Sequence, residues 1–155
     1  MFYYDLANSF TSNGSAGTAT DHLRLLTASQ QESASIAKMV GGARFGTAGG
    51  MQMRAQLYAT ASTSGSAQTP DPRNKNSPAA NTTAFTAPTA GSTPTLKTSV
   101  GLAQTGGEGG EVKLVNEEAI QLKPNGGASG NLDFLSNANA ASVTFDFTVV
   151  IGEGG

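Results

Sequence analysis

The stretch at positions 142–151, SVTFDFTVVI, decides the fold, because apolar and polar residues alternate along nearly all of it. Successive side chains of a β-strand point to opposite faces of a sheet, so a period of two predicts a strand with one face in a hydrophobic core. We expect the core face of this strand to carry Val143, Phe145, Phe147, Val149 and Ile151.

Positions 51–60 show the same period, and shorter strand patterns lie between Gly- and Pro-rich turns at 22–25, 96–103, 111–115, 119–123 and 132–134. Positions 33–45 are ambiguous, since their apolar residues fit one face of a helix as well as a strand. Gly41 and Gly42 disfavour the helix there. Seven or eight short strands without a convincing helix predict an all-β fold. The expected architecture is an antiparallel β-sandwich, for which a jelly roll is one arrangement.

The N-terminal residues differ from the rest of the chain in composition and periodicity, and this difference suggests how the chain is organised. Residues 1–20 contain aromatic residues followed by a Ser/Gly/Thr/Ala run without periodicity, and we expect an extended N-terminal arm there. The alternative is that positions 2–4 form a first edge strand. Residues 21–155 are expected to form one β-sandwich domain. That domain contains a long Pro/Ser/Thr-rich loop at 61–93, and five of the six prolines of the chain lie at positions 70–94.

Composition predicts a thin core. Ala, Gly, Ser and Thr make up about half of the 155 residues, whereas Leu, Ile, Val and Phe contribute only about 18%. The formal net charge of −2 is too low for a typical disordered chain, so we expect the chain to fold. A core of small side chains is better stabilised when copies bury surface against each other, which favours a homo-oligomer.

Composition also excludes several classes of protein. No run of apolar residues approaches the length of a membrane-spanning helix, and the N-terminus lacks the pattern of a signal peptide, so we expect no membrane partner. Nine Lys and Arg residues spread among eleven acidic residues make no basic patch, so we expect no nucleic-acid partner. The chain has no cysteine and therefore no thiolate metal site.

No catalytic or cofactor motif is present, so we expect a protein that is not an enzyme and that needs no metal or cofactor. His22 is the single histidine; it lies at a polar position of its strand pattern, and we expect it to be solvated. The acidic residues Glu108, Glu111, Glu117 and Glu118 lack the spacing of a calcium loop and are expected to form a solvated surface.

The motifs around the long loop resemble a known group of proteins. The stretch at 43–50, ARFGTAGG, precedes an alternating strand with Arg54, and is followed by TPDPRN at 69–74 and SPAA at 77–80. This order resembles small β-rich virion proteins of tailed bacteriophages, in which an R-x-x-T-A-G-G strand pair precedes a Pro/Arg/Asp loop and a P-A-A stretch. The resemblance implies a head decoration or cement protein that stabilises the head from outside.

The same resemblance implies partners and a location. The major capsid protein would be one partner and further copies of the chain the other, most simply as a homotrimer on a three-fold position. The protein would be made in the host cytoplasm and end on the capsid surface of the virion. Two alternatives remain: a tail or fibre-associated receptor-binding module, and a small hydrolase on a jelly-roll scaffold.

Exposed aromatic residues and charges on a stiffened loop are the candidate interface residues. Aromatic residues often anchor protein interfaces, and a proline-rich backbone loses less entropy when it binds. The candidates are Phe2, Tyr3, Tyr4 and Phe10 in the arm, and Asp71, Arg73 and Lys75 in the loop.

Overall fold

The computed structural model describes residues 1–13, 19–27, 34–43, 51–60, 62–102, 109–113, 120–122, 132–138 and 142–154. Over these ranges the chain forms twelve strands and no helix, which confirms the predicted all-β class. Their bounds are β1 (Phe2–Thr11), β2 (Ala19–Thr27), β3 (Ala34–Ala43), β4 (Met51–Thr60), β5 (Ser66–Gln68), β6 (Asp71–Pro72), β7 (Thr82–Thr86), β8 (Ser92–Leu102), β9 (Gly109–Lys113), β10 (Ile120–Leu122), β11 (Leu132–Ala138) and β12 (Thr144–Glu153).

The strands form two antiparallel sheets of six strands each. In one, which we call the β1 sheet, the order is β10-β3-β12-β1-β6, and β9 pairs with β3 beside β10. In the other, the β2 sheet, the order is β5-β7-β2-β11-β4-β8. This arrangement is consistent with the predicted β-sandwich. Within the part of the chain that the structure describes, no helix is long and apolar enough to cross a membrane.

Side chains from both sheets meet in one hydrophobic core, as the alternation of the last strand predicts. Val143, Phe145, Phe147, Val149 and Ile151 are all buried in it, which confirms the face assignment. Across the interface, the ring centroid of Phe147 lies 5.5 Å from that of Phe134 on the opposite sheet. The other large side chains that are fully buried in the described part of the chain are Tyr4, Leu6, Leu23, Leu25, Ile36, Met39, Met53 and Leu132.

The ambiguous stretch at 33–45 forms strand β3 over its described part, so the strand interpretation is confirmed. Ile36 and Met39 are both buried although they are three positions apart, a spacing typical of a helix. The cause is an irregular register. Ile36 pairs with Ile151 and Lys38 with Val150, so Ala37 is an extra residue that shifts the alternation.

The expected N-terminal arm is instead a strand, which is the alternative that the sequence left open. Residues Phe2–Thr11 pair with β12 over ten residues, and Tyr4 and Leu6 reach the core. The long loop is likewise partly built of strands, because β5, β6, β7 and the start of β8 lie within positions 61–93. Backbone pairing needs no large side chain, so Ser, Thr and Ala segments form strands that hydrophobic periodicity does not reveal.

Candidate protein-binding corner

Strand β1 alternates between a core face and an outer face. Tyr4 and Leu6 point into the sandwich with 1% of their surface exposed, while Ala7, Ser9 and Thr11 are exposed. The pairing of β1 with the apolar strand β12 fixes this choice, since a shift of one residue would turn every side chain to the other face.

Strand β6, from the Pro-rich segment, adds to the other side of β1. Tyr4 pairs with Pro72 and Asp5 with Asp71. The Arg73 amide donates a hydrogen bond to the Tyr3 carbonyl oxygen at 3.0 Å. The Tyr4 hydroxyl group donates to the Pro78 carbonyl oxygen at 3.1 Å. The first strand and the loop, far apart in sequence, therefore meet at one edge of the β1 sheet.

An ion pair joins the two segments on the outer face. The Arg73 Nε atom lies 2.8 Å from Asp5 Oδ1 and 2.9 Å from Asp5 Oδ2. The two side chains are 49% and 35% exposed, so water screens the pair and its contribution to stability is small. Its main effect is to hold the guanidinium group beside β1.

The structure brings together most, but not all, of the predicted interface residues. Phe2 and Tyr3 are 46% and 44% exposed, and Met1 beside them is exposed as well. Asp71, Arg73 and Lys75 are also exposed on the adjoining segment. We call the region formed by Met1, Phe2, Tyr3, Asp5, Asp71 and Arg73 the β1–β6 corner. Tyr3 and Asp5 lie on the outer face of β1 and Phe2 on its opposite face, since side chains alternate along the strand; Lys75 lies in the turn that follows.

Tyr4 and Phe10 lie elsewhere. Tyr4 is a core residue, because its position on the alternating strand faces the opposite sheet. Phe10 is half-buried; its ring stacks on His22 at 4.8 Å between centroids and tilts against Phe145 at 5.9 Å. Neither side chain is available to a partner in the way that the sequence suggested.

His22 is buried rather than solvated. The register between β2 and β11 shifts at Phe134/Leu135, which leaves His22 as an extra residue of β2 and turns its ring towards the core. Its Nε2 atom lies 2.6 Å from the Ser136 hydroxyl oxygen, and burial lowers the pKa of the ring to about 4. The neutral imidazole therefore packs as a core side chain.

A buried carboxyl pair lies on the outer face of the β2 sheet, and the sequence did not predict it. Burial, and to a smaller extent the neighbouring Asp133, together raise the pKa of Asp21 from 3.8 to about 9. Burial also raises the pKa of Asp133, while the polar neighbours Asp21, Ser62 and Arg24 oppose that shift. The Asp21 carboxyl group therefore keeps its proton at neutral pH. The same two groups, together with burial, raise the pKa of Tyr58.

Arg24 lies against this pair and connects it to the segment that covers the sheet. Its Nη1 atom donates to the Ser62 carbonyl oxygen at 2.8 Å. Its guanidinium carbon lies 4.2 Å from the centroid of the Phe85 ring, a cation–π contact. The alternation of polar and apolar residues along a strand identifies Asp21 and Asp133 only as polar positions. The segment around Ser62, which covers them, lies about 40 positions from Asp21 and about 70 from Asp133 in the sequence.

The described residues contain no group of three or more His, Cys, Asp or Glu side chains placed to hold a metal ion. Of the predicted acidic surface, Glu108, Glu117 and Glu118 lie outside the described residues, as does most of the 43–50 motif.

An arrangement of exposed aromatic rings and a screened ion pair on a sheet edge suits contact with another protein.

Comparison with known proteins adds little. No known family matches the chain, and no curated protein does. The chain is similar to a solved structure of Bacillus endospore appendages, described as a novel family of disulfide-linked pili. That similarity has 13% identity and a TM-score of 0.31, and covers 96% of this chain and 83% of the other. It is also similar to a chain of T=1 particles derived from infectious bursal virus, at 10% identity and a TM-score of 0.20, over 96% and 39% of the two chains. At these TM-scores neither similarity decides the fold or the function.

Proposed function

We propose that this chain is a structural virion protein that decorates the outside of a tailed-phage capsid and catalyses no reaction. The observation that carries the proposal is the β1–β6 corner, where two segments of the chain about 70 residues apart meet and expose Tyr3 and Arg73, with Phe2 exposed on the opposite face of the same strand end. The motif at 69–80, which is part of the resemblance to such virion proteins, contains Asp71 and Arg73 of this corner.

The physical properties of the corner favour binding to a protein surface. Aromatic rings supply most of the energy at protein interfaces when a partner covers them. The rings belong to a paired strand, so little backbone entropy is lost on binding. The exposed charges of Arg73 and Asp5 would set orientation more than strength. The partner would be the major capsid protein, and the protein would reside on the capsid surface.

Reconstitution on particles that lack the protein tests the proposal. A variant with both Phe2→Ser and Tyr3→Ser should lose most of its capsid occupancy, measured as bound copies after sedimentation. Arg73→Ala should weaken binding less, because that charge is solvated. The matched control is Thr95→Ser with Lys97→Ser, a double change of exposed residues on β8 of the other sheet, which should load like the parent chain.

Two results would contradict the proposal. One is equal loading of the Phe2/Tyr3 variant and the parent chain while circular dichroism shows both folded. The other is failure of the parent chain to bind particles at all.

A further inference from the structure

Strand β1 has an open edge next to the corner. Strand β6 covers only Tyr4 and Asp5, so the β1 edge is open from residue 6 to residue 12 within the described part of the chain. The Ser12 amide donates to the Val143 carbonyl oxygen, on the β12 side. Backbone groups alternate in direction along a strand, so the N–H and C=O groups of Ala7, Ser9 and Thr11 point away from β12, in the plane of the sheet and towards its open edge.

This edge lacks the features that normally prevent strands from pairing between molecules. Natural edges are short, or carry Pro or charged residues. The other described edges do so: β5 and β10 have three residues each, β6 ends in Pro72, β8 contains Pro94 and Lys97, and β9 contains Glu111 and Lys113. Residues 6–12, LANSFTS, contain no proline and no charge.

We propose that a second copy of this chain pairs its own residues 6–12 antiparallel with this edge. The open stretch is symmetric about Ser9, which is one of the outward-facing positions. With a two-fold axis beside Ser9, Ser9 of one copy therefore lies opposite Ser9 of the other. Ala7 of each copy then lies opposite Thr11 of the other copy. Such pairing would form about six backbone hydrogen bonds.

The register follows from what flanks the edge. Strand β6 of each copy occupies the positions beside Tyr4 and Asp5 and blocks any longer overlap. The exposed side chains that would meet are Ala7, Ser9 and Thr11, which are small and uncharged, so the pairing brings no like charges together. The edge is complementary to itself and carries neither charge nor proline. For this reason its occupant is a second copy of the chain rather than a different protein.

The pairing would join the two β1 sheets into one continuous sheet and close at two copies. The assembly would thus be a dimer, in place of the trimer that the resemblance to cement proteins implies. The inference goes beyond the capsid role and does not depend on it, because the β1–β6 corner of each copy stays outside the paired stretch.

Cysteine cross-linking of the purified chain in solution tests both the pairing and its register. The chain has no cysteine of its own, so a single introduced thiol reports one position. Opposed Cα atoms of a hydrogen-bonded pair lie about 5.5 Å apart, within the reach of a disulfide. Under mild oxidant, Ser9→Cys should convert mostly to a covalent dimer on a non-reducing gel.

Ala7→Cys is the matched control, since it has the same exposure and the same phase on the strand. In the proposed register the two copies of position 7 are about 14 Å apart, too far for a disulfide. Ala7→Cys should therefore stay uncross-linked within the time that Ser9→Cys needs. Equal rates for the two variants, or no cross-linking of a folded Ser9→Cys chain, would overturn the proposal.

Charge substitution gives a second, independent test. A double variant with Ala7→Glu and Thr11→Glu, and another with Ala7→Lys and Thr11→Lys, should each be monomeric by light scattering at micromolar concentration, because like charges face each other. Their mixture should restore the dimer mass. Two results would also overturn the proposal. One is a trimer mass for the parent chain, and the other is the same mass for each variant and for their mixture. Thermal melts of each variant establish that it is folded.

Discussion

Asp21 binds a proton in the folded chain that it would release in the unfolded chain at neutral pH. Its pKa is raised from the ordinary value of 3.8 to about 9. Between these values the folded state binds more protons than the unfolded state, so the free energy of unfolding falls as pH rises. One proton corresponds to at most about 1.4 kcal/mol per pH unit. His22 acts in the opposite direction between pH 6.5 and about 4, where only its unfolded form is protonated.

Between pH 6.5 and 9 the carboxyl pair should therefore act alone among the described groups with a shifted pKa, and Asp21→Asn should remove much of its effect. We expect the parent chain to lose stability from pH 6.5 to 9 in urea unfolding, and the variant to lose markedly less. The difference in free energy of unfolding, variant minus parent, should grow with pH. Asp71→Asn, a change at an exposed carboxylate, should follow the parent chain. A constant difference between variant and parent would show that Asp21 is ionised in the folded protein.

The core rings of β12 give a prediction that does not depend on pH. Phe145 and Phe147 are buried, so Phe145→Ala and Phe147→Ala each leave a cavity. Each should lower the free energy of unfolding by about 3 kcal/mol or more in denaturant melts. Lys97→Ala, at an exposed position, should stay within about 0.5 kcal/mol of the parent chain. Variants of Phe145 and Phe147 as stable as that control would refute the core assignment.

At the scale of strands, β1 is part of the sandwich itself. An arm could be removed without harm, whereas β1 pairs with β12 along ten residues and contributes Tyr4 and Leu6 to the core. Strand β12 is tied in turn to the start of β7, because the Glu153 carboxylate accepts hydrogen bonds from the Asn81 amide at 2.8 Å and the Thr82 amide at 2.6 Å.

Deletion of residues 2–10 should accordingly unfold the chain. Without β1 the core loses two large side chains and β12 loses one of its two neighbours. We expect the deletion variant to lack the cooperative thermal transition of the parent chain by circular dichroism. The Phe2→Ser and Tyr3→Ser double variant, which changes only exposed rings, should keep that transition. A deletion variant that melts like the parent would mean that β1 is dispensable.

For the molecule as a whole, the fold class could be predicted because strand alternation is a local property. Val143, Phe145, Phe147, Val149 and Ile151 lie within ten residues, and their spacing alone indicates which side of β12 is buried. The absence of a convincing helical period had the same local origin. These features need no knowledge of what lies next to each strand.

The interface candidates could be predicted only in part, for the same reason. The sequence marked Phe2, Tyr3 and Arg73 as surface candidates, and the structure exposes all three at one corner. It did not indicate that Tyr4 faces the core, because that depends on the register with β12, which begins 140 positions later.

Only the tertiary structure decided which strands are neighbours and which faces are covered. The strands of Ser, Thr and Ala form by backbone hydrogen bonds, which every residue type except proline can both donate and accept, so no side-chain pattern marks them. The irregular registers at Ala37 and His22 arise from fitting two distant strands together. The buried Asp21 and Asp133 pair exists because a segment from elsewhere in the chain covers one face of the β2 sheet. A local pattern can show that a strand has a polar face, but contacts between distant residues determine whether that face meets water.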